Sequence, residues 1–154
     1  MTIKDLLLHH LDTTFVKGPG QPSISVALEG LGATQAAWKA ASERHSIWQI
    51  VQHLTRWKQA VWQDWHGSTP DYAAIDKGDW AEVSGTEAAW LADLEALQRI
   101  SHQYRTFVEG LTPEDLERVV PGLGVPLAGS IMDMATHDIY HAGQIRYVRA
   151  LQGA

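Results

Sequence analysis

Apolar residues recur at steps of three and four along almost the whole chain, and no alternating run is long enough to read as a strand. The spacing predicts a first helix over about Ile3 to Val16, ended by KGPGQPS (residues 17–23), whose glycines and prolines mark a loop. SVALEGL and ATQAAWKA, around Gly30 and Gly32, read as short helical pieces. A second long helix starts at Ser46, where Ser46 and Gln49 form a capping box: each side chain answers a backbone N–H that the helix leaves free. Its apolar stripe is Ile50, His53 or Leu54, Trp57 and Val61, and HGSTPDY (residues 66–72) ends it. Residues 68–84 have mixed charge and no period, and read as a connector. A third helix is expected over about Thr86 to Glu109 on the stripe Trp90, Leu94, Leu97, Ser101, Tyr104 and Val108. Thr112 caps a short helix with Pro113 in its first position. PGLGVPLAG reads as a loop, and the last helix runs from about Ser130, with Asp133 as its capping partner, to Leu151. Four long helices with irregular connections define an all-α chain, a four-helix bundle with short extra helices in the connections. A length of 154 residues fits one domain, residues 1–154.

The last helix carries the chemistry. Its stripe reads Met134, His137, His141, Ile145, Val148, so two histidines stand where hydrophobes are expected. His53 stands on the core stripe of the second helix. Each buried imidazole nitrogen left without a partner costs roughly 1–3 kcal/mol. One divalent cation answers that for three rings together, and residues four apart on a helix are close enough to converge on one ion. A metal site and a structural cluster of core histidines are the two readings, and the pattern favours the metal. SIWQIVQH (residues 46–53) and SIMDMATH (residues 130–137) echo one another, each with a histidine seven residues after its serine. If the second and fourth helices run parallel, His53 and His137 reach the same depth.

The spelling H-D-x-x-H approaches the zinc-protease motif H-E-x-x-H, but Asp138 stands where that motif needs Glu. None of the thirteen residues after His141 is His, Asp or Glu, so a third ligand must come from upstream, and His53 is the best candidate. Asp138 falls one step off the stripe and reads as a solvated or edge carboxylate. Gln144 reads as a hydrogen-bond partner for a ligand ring or a metal-bound water, or as a polar residue at the stripe's edge; Tyr140 is placed to pack between helices or donate a proton, and Trp57 to serve as core or as a wall of the site. His45 belongs to the end of the bundle, His66 to a loop, and His102 lies off its stripe. At most one of His9 and His10 faces inward, as a residue supporting the site. Arg56, Arg146 and Arg149 read as solvated charges or as contacts for an acidic substrate.

Composition narrows the function further. The net charge is −6 with only 12 Lys and Arg and no basic block, so no nucleic-acid partner is expected. The chain has no cysteine, which removes disulfides, thiolate ligands and a cysteine nucleophile. The first residues, MTIKDLLLHHLDTTF, match neither a signal peptide nor a membrane span, and a cytoplasmic protein without a membrane partner is expected.

HSIWQIVQHL, with His53, and HDIYHAGQI, with His137 and His141, resemble the DinB/YfiT-like superfamily of metal-dependent enzymes, as does GLGATQAAWKA before the second helix. The resemblance spans most of the chain. It implies a four-helix bundle whose divalent ion, zinc or nickel, is held by His53, His137 and His141. It also implies a homodimer acting on a small-molecule substrate. Relatives in that family include S-transferases that use bacillithiol and a mycothiol-dependent isomerase. Three neutral imidazoles leave open positions on the ion, the catalytic arrangement. The first expectation is therefore an enzyme that activates a low-molecular-weight thiol for attack on an electrophile. A metal-dependent hydrolase and a non-catalytic metal- or ligand-binding bundle are the alternatives. Walls of the substrate pocket are expected from residues 66–84, 120–129 and the first helix.

Overall fold

The computed structural model describes residues 1–18 and 20–153. Four long elements follow the predicted spacing. Helix α1 spans Ile3–Leu11 and continues into a π-helical turn, Asp12–Val16, which together cover the first predicted helix. Helices α2 (Ile24–Leu28) and α3 (Ala33–Ala37) are the two short pieces. Helix α4 spans Ile47–Trp65. Its capping box forms as expected: Ser46 Oγ accepts from the Gln49 N–H at 3.1 Å, and Gln49 Oε1 accepts from the Ser46 N–H at 3.0 Å. The connector after α4 holds one short helix, α5 (Tyr72–Lys77). Helix α6 spans Glu87–Gly110 and α7 Pro113–Glu117, the latter with a Thr112–Asp115 capping box.

The region read as a loop before the last helix is more ordered than its sequence suggests. Strands β1 (Val119–Val120) and β2 (Val125–Pro126) pair antiparallel, and helix α8 (Leu127–Gln152) follows at once. The Leu127 N–H donates to the Arg118 carbonyl at 2.8 Å, so the hairpin itself serves the start of α8. The expected cap at Ser130 is thereby overturned. Ser130 lies inside the helix, buried, and its hydroxyl accepts from Trp65 Nε1 at 2.8 Å.

Cross-helix contacts fix the directions. At the end of α4 Trp65 meets Ser130 near the start of α8, whereas Lys58 and His53, earlier in α4, meet Asp138 and His137 further along α8. The two helices are therefore antiparallel, so the parallel condition under which the echo would give the two histidines one depth does not hold. His53 and His137 meet because they are the seventh residue of α4 and the eleventh of α8 on opposed helices, not because a repeat gives them one depth. Helices α4 and α6 run parallel, since Trp48 bonds Asp93 and the Lys58 carbonyl accepts from Tyr104 further along both. Lys4 reaches the Glu109 carbonyl and Asp12 reaches Arg105, so α1 opposes α6. Parallel neighbours cannot be joined by a short turn. Residues 66–86 must travel back along the bundle, and this return carries Asp79 and Trp80 to the level of His53. The core beneath is continuous and large-residue rich, with Trp65, Trp90 and Tyr104 all fully buried.

Candidate metal centre

The three predicted histidines come together. His53 Nε2 lies 3.1 Å from His137 Nε2, and His141 Nε2 lies 3.0 Å from the same atom. One nitrogen from each ring falls within 4.8 Å of the others, a grouping that can hold a metal ion. His53 and His141 are buried and His137 is half-buried.

The outer nitrogens decide what the inner ones offer. His53 Nδ1 lies 2.5 Å from Asp79 Oδ2. A carboxylate there only accepts, so the proton is on Nδ1 and Nε2 presents a lone pair. His141 Nδ1 lies 2.7 Å from Gln144 Oε1, an acceptor, and Gln144 Nε2 donates to the Tyr140 hydroxyl at 2.9 Å. His141 Nε2 is likewise a lone pair. Both lone pairs face His137 Nε2, which carries at most one proton and can donate it to only one of them. At least one of the two lone pairs near 3 Å from it is then left without a proton to accept. His137 Nδ1 is buried without a hydrogen-bond partner, so no neighbour fixes that ring's tautomer. Three imidazole nitrogens gathered at one point, two of them lone pairs and the third free to become one, suit a divalent cation. The partners on the outer nitrogens are the kind that orient metal-binding histidines.

Electrostatics keeps the rings neutral. Burial, with the neighbouring His141 and His53 adding to it, pushes His137 down to about 3. Burial, with His53 adding to it, pushes His141 down to about 4 against the Gln144 hydrogen bond. Burial also lowers His53, opposed by Asp79. Burial would raise Asp79, but hydrogen bonds from Trp57 and His53 outweigh it and hold the carboxyl below its usual range. At neutral pH the centre is thus three neutral rings beside one carboxylate.

Much of the support comes from the connector. Asp79 Oδ2 also accepts from Trp57 Nε1 at 2.7 Å, and Asp79 Oδ1 accepts from the Trp80 N–H at 2.9 Å. The Trp80 ring stacks on His53 with centroids 4.2 Å apart, and His45 stacks on Trp80 at 3.8 Å. Trp80 has φ 61°, a left-handed backbone costing a bulky residue roughly 1–3 kcal/mol. Gln49 holds it there, donating through Nε2 to the Trp80 and Ala81 carbonyls at 3.0 Å each. The residue that caps α4 therefore also pins the returning chain over the histidine.

Several expectations change. Asp138 is not a solvated edge group: it is fully buried and paired with buried Lys58 at 2.9 Å. The buried surface of α8 is wider than one stripe, because α1, α2 and α4 all pack on it. Tyr140 does not pack between helices but is 62% exposed. Trp57 is half-buried at the edge of the site, its indole N–H committed to Asp79. His45 lies against the site through Trp80, whereas His66 and His102 are exposed and away from it. The ring contact of His9 is with its neighbour His10. Arg56 donates to the Gly78 carbonyl, and Arg149 donates to the Ala27 and Glu29 carbonyls. Asp79, Trp80 and Lys58 went unseen in sequence. An isolated Asp-Trp pair in a connector without period was the available signal for the first two.

A helical bundle in which α4 and α8 bring three neutral imidazoles together has a centre able to hold a metal. The DinB superfamily matches residues 21–145, and the chain belongs to that superfamily. Comparison with curated proteins and comparison with solved structures each give no match. Among the described residues no helix is long and apolar enough to cross a membrane.

Proposed function

We propose that the protein is a metal-dependent enzyme in which His53, His137 and His141 hold a divalent ion, zinc or nickel. Its proposed reaction transfers a low-molecular-weight thiol to an electrophile. The carrying observation is the convergence of three Nε2 atoms, two of them held as lone pairs by Asp79 and Gln144. When bound, such an ion supplies Lewis acidity that makes a thiol or a water nucleophilic at neutral pH. Asp79 keeps the Nδ1 proton of His53 in place and so keeps Nε2 an acceptor. Gln144 does the same for His141. Trp80 covers one face of His53 and keeps solvent from it. The Tyr140 hydroxyl accepts from Gln144 and retains its own proton to donate at the exposed edge.

The thiol reading is favoured over hydrolysis because Asp79 is fully engaged. One oxygen serves His53 and Trp57, the other the Trp80 N–H. It is poorly placed to serve as the general base that water attack would use. A thiol, with a free pKa of about 8.5, ionises with far less help than water.

The test is elemental analysis of tag-free protein beside His141→Ala, followed by thiol–electrophile assays on the loaded form. Expected is about one equivalent of zinc or nickel per chain, lost in the variant, as a three-ligand site requires. No metal in the wild type after reconstitution overturns the proposal. Metal with turnover of an ester or amide, and none with thiols, would favour the hydrolase instead.

A further inference from the structure

Beside the centre, between the residues leading into α4 and the last turns of α8, lies a cavity of about 440 Å³. Its size is that of a small-molecule site. Ile50 and Val148 give it apolar lining, Arg44 and His45 border it from the segment before α4, and Gln144 and Tyr147 border it from α8.

Two contacts join this cavity to the histidines. Gln144 lines it and, through Oε1, accepts from His141. His45 lines it and stacks on Trp80, which stacks on His53. A molecule in the cavity would therefore adjoin both ligand-bearing helices.

The charge of the lining is opposite to that of the chain. The protein carries −6 overall, yet the lining contains Arg44 and no carboxylate. Arg44 is exposed, and among the described residues no carboxylate lies within ion-pair distance of it. An arginine beside an apolar cavity, engaged in no ion pair, is suited to an oxyanion that can meet its guanidinium with two oxygens.

We infer that this cavity binds an amphipathic anion: a carboxylate, sulfonate or phosphate joined to an apolar or aromatic body. The anionic end sits at Arg44, and the body lies against Ile50 and Val148 with its far end toward Gln144. That the far end is the reacting end rests on the proposed function, whereas binding of the anion does not require the metal.

Anilinonaphthalene sulfonate, an anion on an aromatic body, is titrated by fluorescence, with neutral phenylnaphthylamine as its control. The wild type should show one saturable site per chain. Arg44→Gln should weaken the sulfonate about fivefold and Arg44→Glu more, while the neutral probe changes by less than about twofold, the scale of one exposed charge contact. Arg99→Gln, which removes the same charge from an exposed position of α6, should leave both probes unchanged. Non-saturating binding, or equal effects of Arg44→Glu and Arg99→Gln, overturns the inference. The titrations are repeated on chelated protein. Binding that depends on Arg44 in protein without metal upholds the cavity even if the metal reading has failed. A loaded centre with no dependence on Arg44 refutes the cavity and leaves the metal reading intact.

Discussion

Helices α4 and α8 bury two polar clusters almost side by side, and they are of opposite character. His53 and Lys58 are five residues apart on α4, while His137 and Asp138 are adjacent on α8. In the second cluster a donor meets an acceptor: Lys58 Nζ lies 2.9 Å from Asp138 Oδ2, with the Phe15 and Tyr104 rings near the ammonium. Burial pushes the Asp138 carboxyl up, and Lys58 opposes this. That cluster largely completes itself. In the histidine cluster lone pairs outnumber the protons available to them, an arrangement that a cation can complete. Burial of polar groups therefore does not distinguish a metal site from a structural pair. The balance of donors and acceptors does.

The largest expected effect breaks the self-completing cluster. Lys58→Met leaves Asp138 buried without its cation and should lower stability by about 3–5 kcal/mol in urea unfolding. Lys58→Met with Asp138→Leu should recover most of that loss, since a pair replaced by apolar groups is often near neutral. If the clusters are independent, metal content per folded chain stays unchanged in the double variant. A single variant within about 1 kcal/mol of wild type would show the pair to be no structural requirement.

The next effect sharpens the contrast from the other side. Asp79→Asn keeps the shape of the group that fixes His53 but removes its charge, and its amide N–H₂ can face Nδ1. Metal affinity measured by chelator competition should fall about 10–100-fold, the usual effect of losing a group that orients a metal-binding histidine. The fold should survive, as judged by an unchanged urea slope. Unaltered affinity would mean that Trp80 stacking and Gln49 alone hold His53.

The same contrast explains what could be read in sequence. His53, His137 and His141 were legible because polar residues on an apolar helical stripe violate a periodic pattern, and the Ser46–Gln49 box because its spacing is local. Asp79 has no such marker. Its role depends on how residues 66–86 return between the parallel helices α4 and α6, a matter of bundle direction that no local spacing carries. Asp138 was misread for a related reason: one stripe was assumed on a helix that several others cover. Lys58 repeats at helical spacing with Leu54, Val61 and Trp65, but a lone lysine on such a stripe ordinarily extends its charge to solvent. Its burial could be inferred only with Asp138 facing it.

A pH titration of chelated protein probes the acceptor cluster without its cation. His137 and His141 have folded values of about 3 and about 4, below the ordinary histidine value of 6.5. As pH falls below that value, the unfolded chain takes up protons that the folded rings refuse. Stability is therefore fully present above it and is lost on acidification toward the folded values. From about pH 7 to about pH 5.5 the loss should be about 1–2 kcal/mol, discounting for partial exposure and mutual coupling. Metal-loaded protein should resist this change. A flat profile for the chelated form would contradict the neutral, mutually opposed rings.

The smallest effect separates an unanswered atom that matters from one that does not. Ser101 Oγ and Asp138 Oδ1 are buried without partners, and both residues line a cavity of about 110 Å³ with Lys58. Unlike the facing histidine nitrogens, these atoms do not oppose one another within hydrogen-bonding distance, so no cation is called for. Ser101→Ala removes a hydroxyl that makes no hydrogen bond, and stability should change by less than about 0.5 kcal/mol, toward greater stability if it moves. A loss above about 1 kcal/mol would mean that the hydroxyl is partnered in solution, through a molecule held in that cavity. The Lys58–Asp138 cluster would then need an external group to be complete, as is proposed for the histidines, and the distinction between the two clusters would narrow to the kind of group each one takes.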